Sequence, residues 1–301
     1  MKWKDSFHPY ALTTILFWSL AFPITHLAMT HFSAYGLGLW RYAAACAALL
    51  PVAIIKKLKP PRLKDWGWFF LAGLLGFSLY MVVFNLGNSM VTSATASVML
   101  AVTPVLTALL ARLFYKEKLR AYQWAAVGVE FSGILILTMW RGVLDINEGT
   151  LWLMAAVVCI SLYNLIQRKL TKTYSSLQSA VYSIFAGTLL LSVFLPQGTK
   201  EAATAAPEHW LYAALLGVFP SAIAYVSWSA AFQKAPRTSD VSNYMFITPF
   251  LSGTFGFLIN GETLDAATLL GGAVILAGVA VFNHRPRSSA PRNPAKGIKS
   301  L

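Results

Sequence analysis

Ten apolar stretches of about 20 residues, separated by short polar gaps, make up most of the chain. An α-helix rises about 1.5 Å per residue, so roughly 17–25 apolar residues can cross the hydrocarbon core of a bilayer. The pattern therefore predicts an all-α membrane protein with ten transmembrane helices. The predicted spans are residues 10–30, 35–55, 66–88, 93–115, 121–140, 149–168, 177–196, 209–232, 239–259 and 266–284.

The sequence also repeats itself, without a gap, at an offset of 145 residues. Pro104 aligns with Pro249, each preceded by a threonine, and Glu117 aligns with Glu262, each followed by x-Leu. One shared Thr-Pro step can arise by chance, but both features at one offset indicate an internal duplication. Each copy holds five spans, an odd number, so the second copy is predicted to enter the membrane upside down, as in many secondary transporters.

Lysine and arginine are unevenly distributed between the gaps. Most of the 24 lie before the first span, after even-numbered spans or in the C-terminal tail, and the gaps after odd-numbered spans hold only Arg141 and Lys200. Cytoplasmic loops carry the excess of these residues, so both termini are predicted to be cytoplasmic in a multi-pass protein of the plasma or bacterial inner membrane. The net charge of +13 is thus explained by topology, and no nucleic-acid partner is predicted.

These boundaries divide the chain into two repeats and three short flanking pieces. The predicted divisions are a cytoplasmic N-terminus (1–9), a first repeat (10–140), a periplasmic or extracellular linker (141–148), a second repeat (149–284) and a basic, disordered cytoplasmic tail (285–301).

Composition excludes several classes of protein. Only 12% of the residues are charged, against about a quarter in soluble domains, so no separate soluble domain is expected. Cys46 and Cys159 lie within apolar stretches and form no metal or redox motif. The sequence contains no paired carboxylates or phosphate-binding loop, so no enzyme, catalytic residue, metal or cofactor is predicted. A channel would need a polar stripe across the bilayer, whereas the polar residues cluster in the middle of the spans.

Short motifs along residues 10–284 resemble the EamA family of the drug/metabolite transporter superfamily. The resemblance implies ten helices in two inverted halves and export of small metabolites such as amino acids. Three residues depart from the family pattern: His26 where the family often has lysine, Glu130 where it usually has an apolar residue, and Pro220 in span eight. The similar motifs are Phe17-Trp18-Ser19, Arg41-Tyr42, 97–119 with Gln123-Trp124, Ser161-Leu162-Tyr163, Arg168-Lys169-Leu170, Ala222-Ile223-Ala224-Tyr225 and Gly261-Glu262.

Uncharged polar and aromatic residues concentrate on spans 1, 3, 6, 8 and 9. Amides and hydroxyls among aromatic rings suit a small neutral or zwitterionic molecule rather than an anion, because such a wall has no fixed charge to offset desolvation. The alternative is hydrogen bonding between helices and anchoring of aromatic rings at the interface. The predicted substrate-binding residues are Trp18, Tyr80, Asn85, Tyr163, Asn164, Tyr225, Trp228, Asn243 and Tyr244.

Two prolines and three ionisable residues complete the candidate site. Pro104 and Pro249 are predicted to break the fourth helix of each repeat near mid-membrane, where freed carbonyls would face a cavity or a packing kink would be covered by the preceding threonine. Glu130 and Arg41 carry formal charge within spans, where an unpaired charge costs about 2.5–3.5 kcal/mol. They are candidates for an ion pair with each other. Glu130, like His26, is alternatively a candidate for proton coupling.

These features together predict a secondary transporter that exports a small neutral or zwitterionic metabolite, such as an amino acid, by alternating access. Its partners are the small-molecule substrate and the lipid bilayer. The alternative function is that of a flippase for a lipid or polyisoprenyl carrier, which belongs to the same superfamily.

Overall fold

A computed structural model of the chain describes residues 6–91, 93–139, 148–260 and 266–283, and within these ranges every regular element is a helix. Seven helical segments in the described residues are long and apolar enough to cross a membrane, as expected for a multi-pass membrane protein. The other three predicted spans, 121–140, 239–259 and 266–284, are also helical over their described residues. The seven segments are His8–Ala28, Ala34–Ile55, Leu63–Met90, Ala96–Tyr115, Glu148–Leu170, Ser176–Thr204 and Pro207–Lys234.

Fifteen α-helices follow one another in the described chain. The first half contains α1 (His8–Ala28), α2 (Ala34–Ile55), α3 (Trp66–Gly73), α4 (Leu79–Met90), α5 (Ser93–Leu100), α6 (Thr103–Tyr115) and α7 (Ala121–Met139). The second half contains α8 (Glu148–Leu170), α9 (Ser176–Leu191), α10 (Leu195–Thr204), α11 (Pro207–Leu216), α12 (Ala224–Lys234), α13 (Thr238–Ser242), α14 (Thr248–Asn260) and α15 (Ala266–Asn283).

Two π-helical segments interrupt equivalent spans. Leu74–Ser78 joins α3 to α4, and Gly217–Ile223 joins α11 to α12. At the offset of 145 residues, the first segment corresponds to 219–223, the last five residues of the second. Pro220 lacks a backbone N–H and accounts for one departure from α-helical bonding; the first segment contains no proline. Such wide turns are rare and occur frequently at functional sites.

The α-helix is also interrupted just before each Thr-Pro step. In the first half, α5 ends at Leu100 and α6 begins at Thr103, so Pro104 lies in the first turn of α6. In the second half a 3₁₀ segment, Asn243–Ile247, precedes α14, which begins at Thr248. Proline is well tolerated in a first turn, because the N–H it lacks would have no partner there.

Close backbone contacts between glycines and facing helices hold the two halves together. A Cβ atom on Gly73 of α3 would lie 2.6 Å from the backbone nitrogen of Gly187 in α9. A Cβ atom on Gly217 would lie 3.0 Å from the backbone nitrogen of Ala45 in α2. Side chains at these positions would push the helices apart, so the small residues permit packing in a bilayer, where burial from water gives no driving force.

Glu117, in the turn after α6, caps a helix of the other half. Its Oε1 accepts a hydrogen bond from the backbone nitrogen of Thr238 at 2.8 Å, and its Oε2 accepts one from that of Ser239 at 3.3 Å. A carboxylate at a helix N-terminus satisfies free N–H groups and interacts favourably with the helix dipole. Its duplication partner, Glu262, lies outside the described residues.

Candidate functional site

A small cavity lies between the two halves, and we call it the central cavity. Its volume is about 30 Å³, close to the space that one water molecule occupies and far below the roughly 300–1,000 Å³ of small-molecule sites. A metabolite can therefore enter it only if the helices or side chains around it move, so this conformation is closed. The lining residues are Trp18, Ala21, Phe22, Arg41, Tyr80, Met81, Phe84, Leu100, Tyr225, Met245 and Thr248.

Three of the nine predicted substrate-binding residues line this cavity: Trp18, Tyr80 and Tyr225. The Nε1 of Trp18 donates a hydrogen bond to the carbonyl oxygen of Pro220 at 3.1 Å. The hydroxyl of Tyr225 donates one to the carbonyl oxygen of Gly76 at 3.3 Å. Pro220 and Gly76 belong to the two π-helical segments, so two aromatic residues of the cavity wall are anchored to carbonyls in these irregular turns.

Arg41 also lines the central cavity, although the sequence pattern predicts a wall without fixed charge. Its side chain is buried, and its Nε donates a hydrogen bond to the hydroxyl of Ser221 at 2.7 Å. Its Nη1 contacts the sulfur of Met81 at 3.7 Å, a weak acceptor. The expectation of an uncharged wall was wrong because sequence gives the depth of a residue in a span but not the direction in which its side chain points.

A second group of predicted residues packs beside the lining without forming it. The Nε1 of Trp228 donates to the Oδ1 of Asn164 at 2.9 Å, and the Nδ2 of Asn164 donates to the hydroxyl of Thr107 at 3.3 Å. The ring of Trp228 lies 5.0 Å from that of Trp18, and the ring of Tyr163 lies 5.7 Å from that of Tyr225. These contacts fix the orientation of the lining rings.

The remaining predicted residues hydrogen-bond elsewhere. The Nδ2 of Asn85 donates to the carbonyl oxygen of Ala34 at 2.8 Å, which ties α4 to the start of α2. Tyr244 forms a hydrogen bond with the ring of His8 at the start of α1. Neither Asn85 nor Tyr244 lines the central cavity, and both fit the alternative of hydrogen bonding between helices.

Glu130 and Arg41 do not pair in the described part of the chain, because each has a different partner. The Oε1 of Glu130 accepts a hydrogen bond from the Nδ2 of Asn243 at 2.9 Å, while its Oε2 is buried and has no hydrogen-bond partner within the described ranges. The carboxyl group lies where α7 passes close to Gly278 of α15. His26, in the last turn of α1, is not among the residues lining the central cavity.

A second, larger cavity lies near both ends of the described chain, and we call it the terminal cavity. Its volume is about 500 Å³. It is formed by the start of α1, the starts of α7 and α13, and the ends of α12 and α15. Its lining residues are Ser6, Phe7, His8, Tyr122, Lys234, Pro236, Arg237, Asp240, Phe282 and Asn283.

Sequence reasoning missed several lining residues of both cavities. Phe22, Phe84 and Met245 carry no signal, because apolar residues that face a cavity look like those that face lipid. Thr248 did carry a signal, since it belongs to a repeated Thr-Pro step. Asp240 lies inside the predicted span 239–259 and was overlooked as an ionisable residue; its spacing from Arg237 could have indicated an ion pair.

The chain is similar in sequence to proteins named as transporters and similar in fold to a solved structure. The EamA-like transporter family matches residues 7–139 and again 147–284. A probable terminal-alkyne amino-acid exporter of Streptantibioticus cattleyicolor is 31% identical over 90% of this chain and 91% of its own length. The uncharacterized transporter YdfC of Bacillus subtilis is 30% identical over 87% of this chain and 86% of its own. A crystal structure with 18% identity covers 91% of this chain and 95% of its own with a TM-score of 0.73, which indicates a shared fold.

Proposed function

The chain belongs to the EamA-like transporter family and is a membrane transporter, and from this premise we propose that it exports an amino acid or a closely related zwitterion by alternating access. The relative from Streptantibioticus cattleyicolor, named as a probable terminal-alkyne amino-acid exporter, supports this substrate class. The chemistry of the central cavity supports it independently.

The observation that carries the proposal is the buried guanidinium of Arg41 in a cavity wall of aromatic rings. A guanidinium is the side chain best suited to bind a carboxylate, with several donors in a fixed plane. The rings of Trp18, Tyr80 and Tyr225 offer apolar surface to the rest of the molecule and attraction to a cation over their faces. A carboxylate next to Arg41 and an ammonium near the rings describe an amino acid better than an uncharged solute.

Alternating access is supported by the closed central cavity and by the duplication. We infer ten spans in two five-span repeats of opposite orientation, 10–140 and 149–284, with the central cavity between them. The π-helical segments at equivalent positions fit this arrangement. The contacts of Gly73 with Gly187 and of Gly217 with α2 also fit it. At the offset of 145 residues, Gly73 corresponds to the position next to Gly217, and Gly187 corresponds to a position in α2. Helix breaks at Pro104 and Pro249 supply points where the halves can bend.

The distribution of Lys and Arg supports cytoplasmic termini in the cell membrane, with residues 1–9 and 285–301 on the cytoplasmic side and 141–148 outside. In this orientation the terminal cavity opens towards the cytoplasm, since it is lined by residues at the start of α1 and the end of α15. An exporter takes its substrate from that side.

We further propose Glu130 as a site of proton coupling. An ionised carboxylate without a partner on one oxygen is costly in a membrane interior, and protonation removes that cost. Its hydrogen bond to Asn243 connects it to the segment just before the Thr248-Pro249 break. A change of protonation at Glu130 can therefore act on a segment that bends.

The experiment that tests the proposed function uses the purified full-length protein in liposomes. One set of liposomes is loaded with a mixture of radiolabelled amino acids, and another contains fluorescent phospholipid and a labelled polyisoprenyl phosphate. The proposal predicts that at least one amino acid leaves liposomes with the protein faster than it leaves loaded liposomes without the protein. Lipid exchange between the leaflets should be equally fast in both. Lipid movement without efflux of any amino acid would instead support the flippase.

A further inference from the structure

We propose that the terminal cavity is a second binding site, which binds the ammonium group of an amino acid through Asp240 before the substrate reaches the central cavity. The proposal rests on the proposed export function for the direction of passage. The ligand chemistry follows from the cavity itself. At about 500 Å³, this cavity is large enough for an amino acid, whereas the central cavity is not in this conformation.

Asp240 is a buried carboxylate with one oxygen that accepts hydrogen bonds from Arg237 and a second oxygen that is not paired in the described part of the chain. Its side chain is 7% exposed. Its Oδ1 accepts hydrogen bonds from the Nε and Nη2 of Arg237, at 3.1 Å and 2.5 Å, whereas its Oδ2 is buried and has no hydrogen-bond partner among the residues that the structure describes. A buried acceptor without a donor is unfavourable by about 1–3 kcal/mol, and more when it is charged. Because this oxygen has almost no accessible surface, a ligand in the cavity reaches it only when the side chains around it turn, and the hydrogen bond that the ligand then donates removes that cost.

The guanidinium of Arg237 is held in place on several sides. Besides Asp240, its Nη1 donates to the Oε1 of Gln123 at 2.8 Å and to the carbonyl oxygen of Lys118 at 3.3 Å. Arg237 therefore orients Asp240 and balances one negative charge, while the Oδ2 remains an acceptor of partial negative charge. An ammonium group, with three N–H donors, suits this oxygen better than a carboxylate does.

The rest of the cavity wall complements the other parts of an amino acid. Lys234 lines the same cavity and provides positive charge for a carboxylate, with its Nζ 5.4 Å from the centre of the Tyr10 ring. Phe7, Tyr122 and Phe282 supply aromatic surface for a side chain. The cavity thus combines an acceptor, a cation and apolar walls, the three features that a zwitterionic amino acid requires.

Two helical segments connect the terminal cavity to the central one. Along the span that contains α13 and α14, Asp240 lines the terminal cavity and Thr248 lines the central cavity, with Tyr244 midway between them. Along α1, His8 lines the terminal cavity and Trp18 the central one, about 15 Å further along the helix. Tyr244 and His8 are hydrogen-bonded to each other. Their hydrogen bond links the two segments.

The test measures equilibrium binding to the purified full-length protein by calorimetry with three probes: L-norvaline, butylamine, which lacks the carboxylate, and pentanoate, which lacks the ammonium. The proposal predicts that Asp240→Asn weakens the binding of norvaline and butylamine by at least about tenfold, as expected for the loss of a charge-assisted hydrogen bond. Any weak binding of pentanoate should be unaffected.

Two further variants act as controls. Asp65→Asn removes a carboxylate that accepts a hydrogen bond from Tyr174 and does not line the cavity, and it should leave all affinities within about twofold of the unchanged protein. Ser6→Trp places a bulky side chain in the cavity wall without changing Arg237 or Asp240. It should weaken norvaline binding at least as much as Asp240→Asn does, and it tests the site even if Asp240→Asn fails to fold.

Unchanged norvaline affinity in folded Asp240→Asn and in Ser6→Trp overturns the proposal, as does the absence of norvaline and butylamine binding to the unchanged protein. Efflux from liposomes separates this result from the proposed function. Efflux with an unchanged KM in Asp240→Asn and Ser6→Trp would contradict the terminal site but support the exporter. Binding that changes as predicted, without any efflux, would support the terminal site and contradict the exporter.

Discussion

Arg41 of α2 donates a hydrogen bond from its Nε to the hydroxyl of Ser221, 2.7 Å away in the second π-helical segment. The Ser221 hydroxyl in turn donates to the carbonyl oxygen of Leu216 at 2.9 Å, five residues earlier. The buried cation of the central cavity is thus oriented by an irregular turn of the opposite half. A movement that regularises this turn would shift the guanidinium and change the affinity of the cavity for a carboxylate.

Ser221→Ala should therefore weaken substrate binding without removing the charge. Loss of one hydrogen bond to a charged group costs about 1.5–3 kcal/mol, so KM for amino-acid efflux should rise at least about tenfold, while kcat changes less. Ser132→Ala is a matched control, since Ser132 is exposed on α7 and its hydroxyl donates to the carbonyl oxygen of Val129 in the same helix. An equal loss in both variants, or a fall in kcat alone for Ser221→Ala, would contradict the positioning role.

Glu130→Gln should separate proton coupling from substrate exchange. Glutamine retains an oxygen that can accept the hydrogen bond from Asn243, so the fold should persist. The variant should lose the stimulation of efflux by a pH gradient and keep exchange of internal for external substrate at equal pH. Glu148→Gln, which changes an exposed residue at the start of α8, should behave like the unchanged protein. Normal stimulation by the gradient in Glu130→Gln would exclude Glu130 as the coupling site.

The aromatic wall should determine which substrates are moved. Tyr80 lines the central cavity and its ring stacks on Phe84 at 5.6 Å, so Tyr80→Ala should enlarge the cavity and shift the preference among amino acids towards bulkier side chains. Tyr225→Ala should act in the same direction. The control, Leu276→Ala on the exposed face of α15, should alter stability at most. Unchanged rates and selectivity in correctly inserted Tyr80→Ala and Tyr225→Ala would locate the site elsewhere.

Topology can be tested by labelling single cysteines in intact cells with a membrane-impermeant maleimide, in a chain whose Cys46 and Cys159 are replaced by alanine. Cysteines at the exposed positions Met90, Thr199 and Glu208 should react from outside. Cysteines at Lys59, Lys118 and Lys172, also exposed, should react only after the membrane is permeabilised. Asn88 is fully buried and would be a poor reporter despite its place at the end of a span. Labelling of the lysine positions in intact cells would contradict the inverted arrangement.

The helical architecture could be predicted from the sequence because it depends on the length and polarity of apolar stretches. The family resemblance derived from short motifs is confirmed by the match of both halves to the EamA-like transporter family. The interruptions were only partly predictable. Pro104 and Pro249 indicate the breaks in the fourth and ninth spans. The π-helical segment Leu74–Ser78, by contrast, contains no residue that is incompatible with an α-helix. It depends on tertiary packing, in which Gly76 lies against the ring of Tyr163.

The candidate site was predicted less completely, for a physical reason. Asparagines that bind a substrate and asparagines that join helices look the same in a sequence, because both are polar residues in an apolar span. Asn85 bonds to Ala34 and Asn243 bonds to Glu130, so these two serve contacts between helices. The sequence makes Arg41 a candidate for an ion pair with Glu130, because the cost of burying a charge suggests an opposite charge nearby. In the structure the guanidinium of Arg41 instead contacts Ser221 and Met81 and lines an aromatic cavity.

The most direct test of amino-acid export through Arg41 compares efflux of L-norvaline with that of butylamine from liposomes that contain the unchanged protein, Arg41→Gln, Arg41→Lys or Arg112→Gln. Arg112 is exposed on α6 and serves as the control for loss of a positive charge. If Arg41 binds the substrate carboxylate, the unchanged protein and Arg112→Gln should prefer norvaline by at least about tenfold. Arg41→Gln should lose this preference, and Arg41→Lys should retain part of it. Norvaline efflux by inserted Arg41→Gln at the unchanged rate and with the unchanged preference would contradict this role of Arg41.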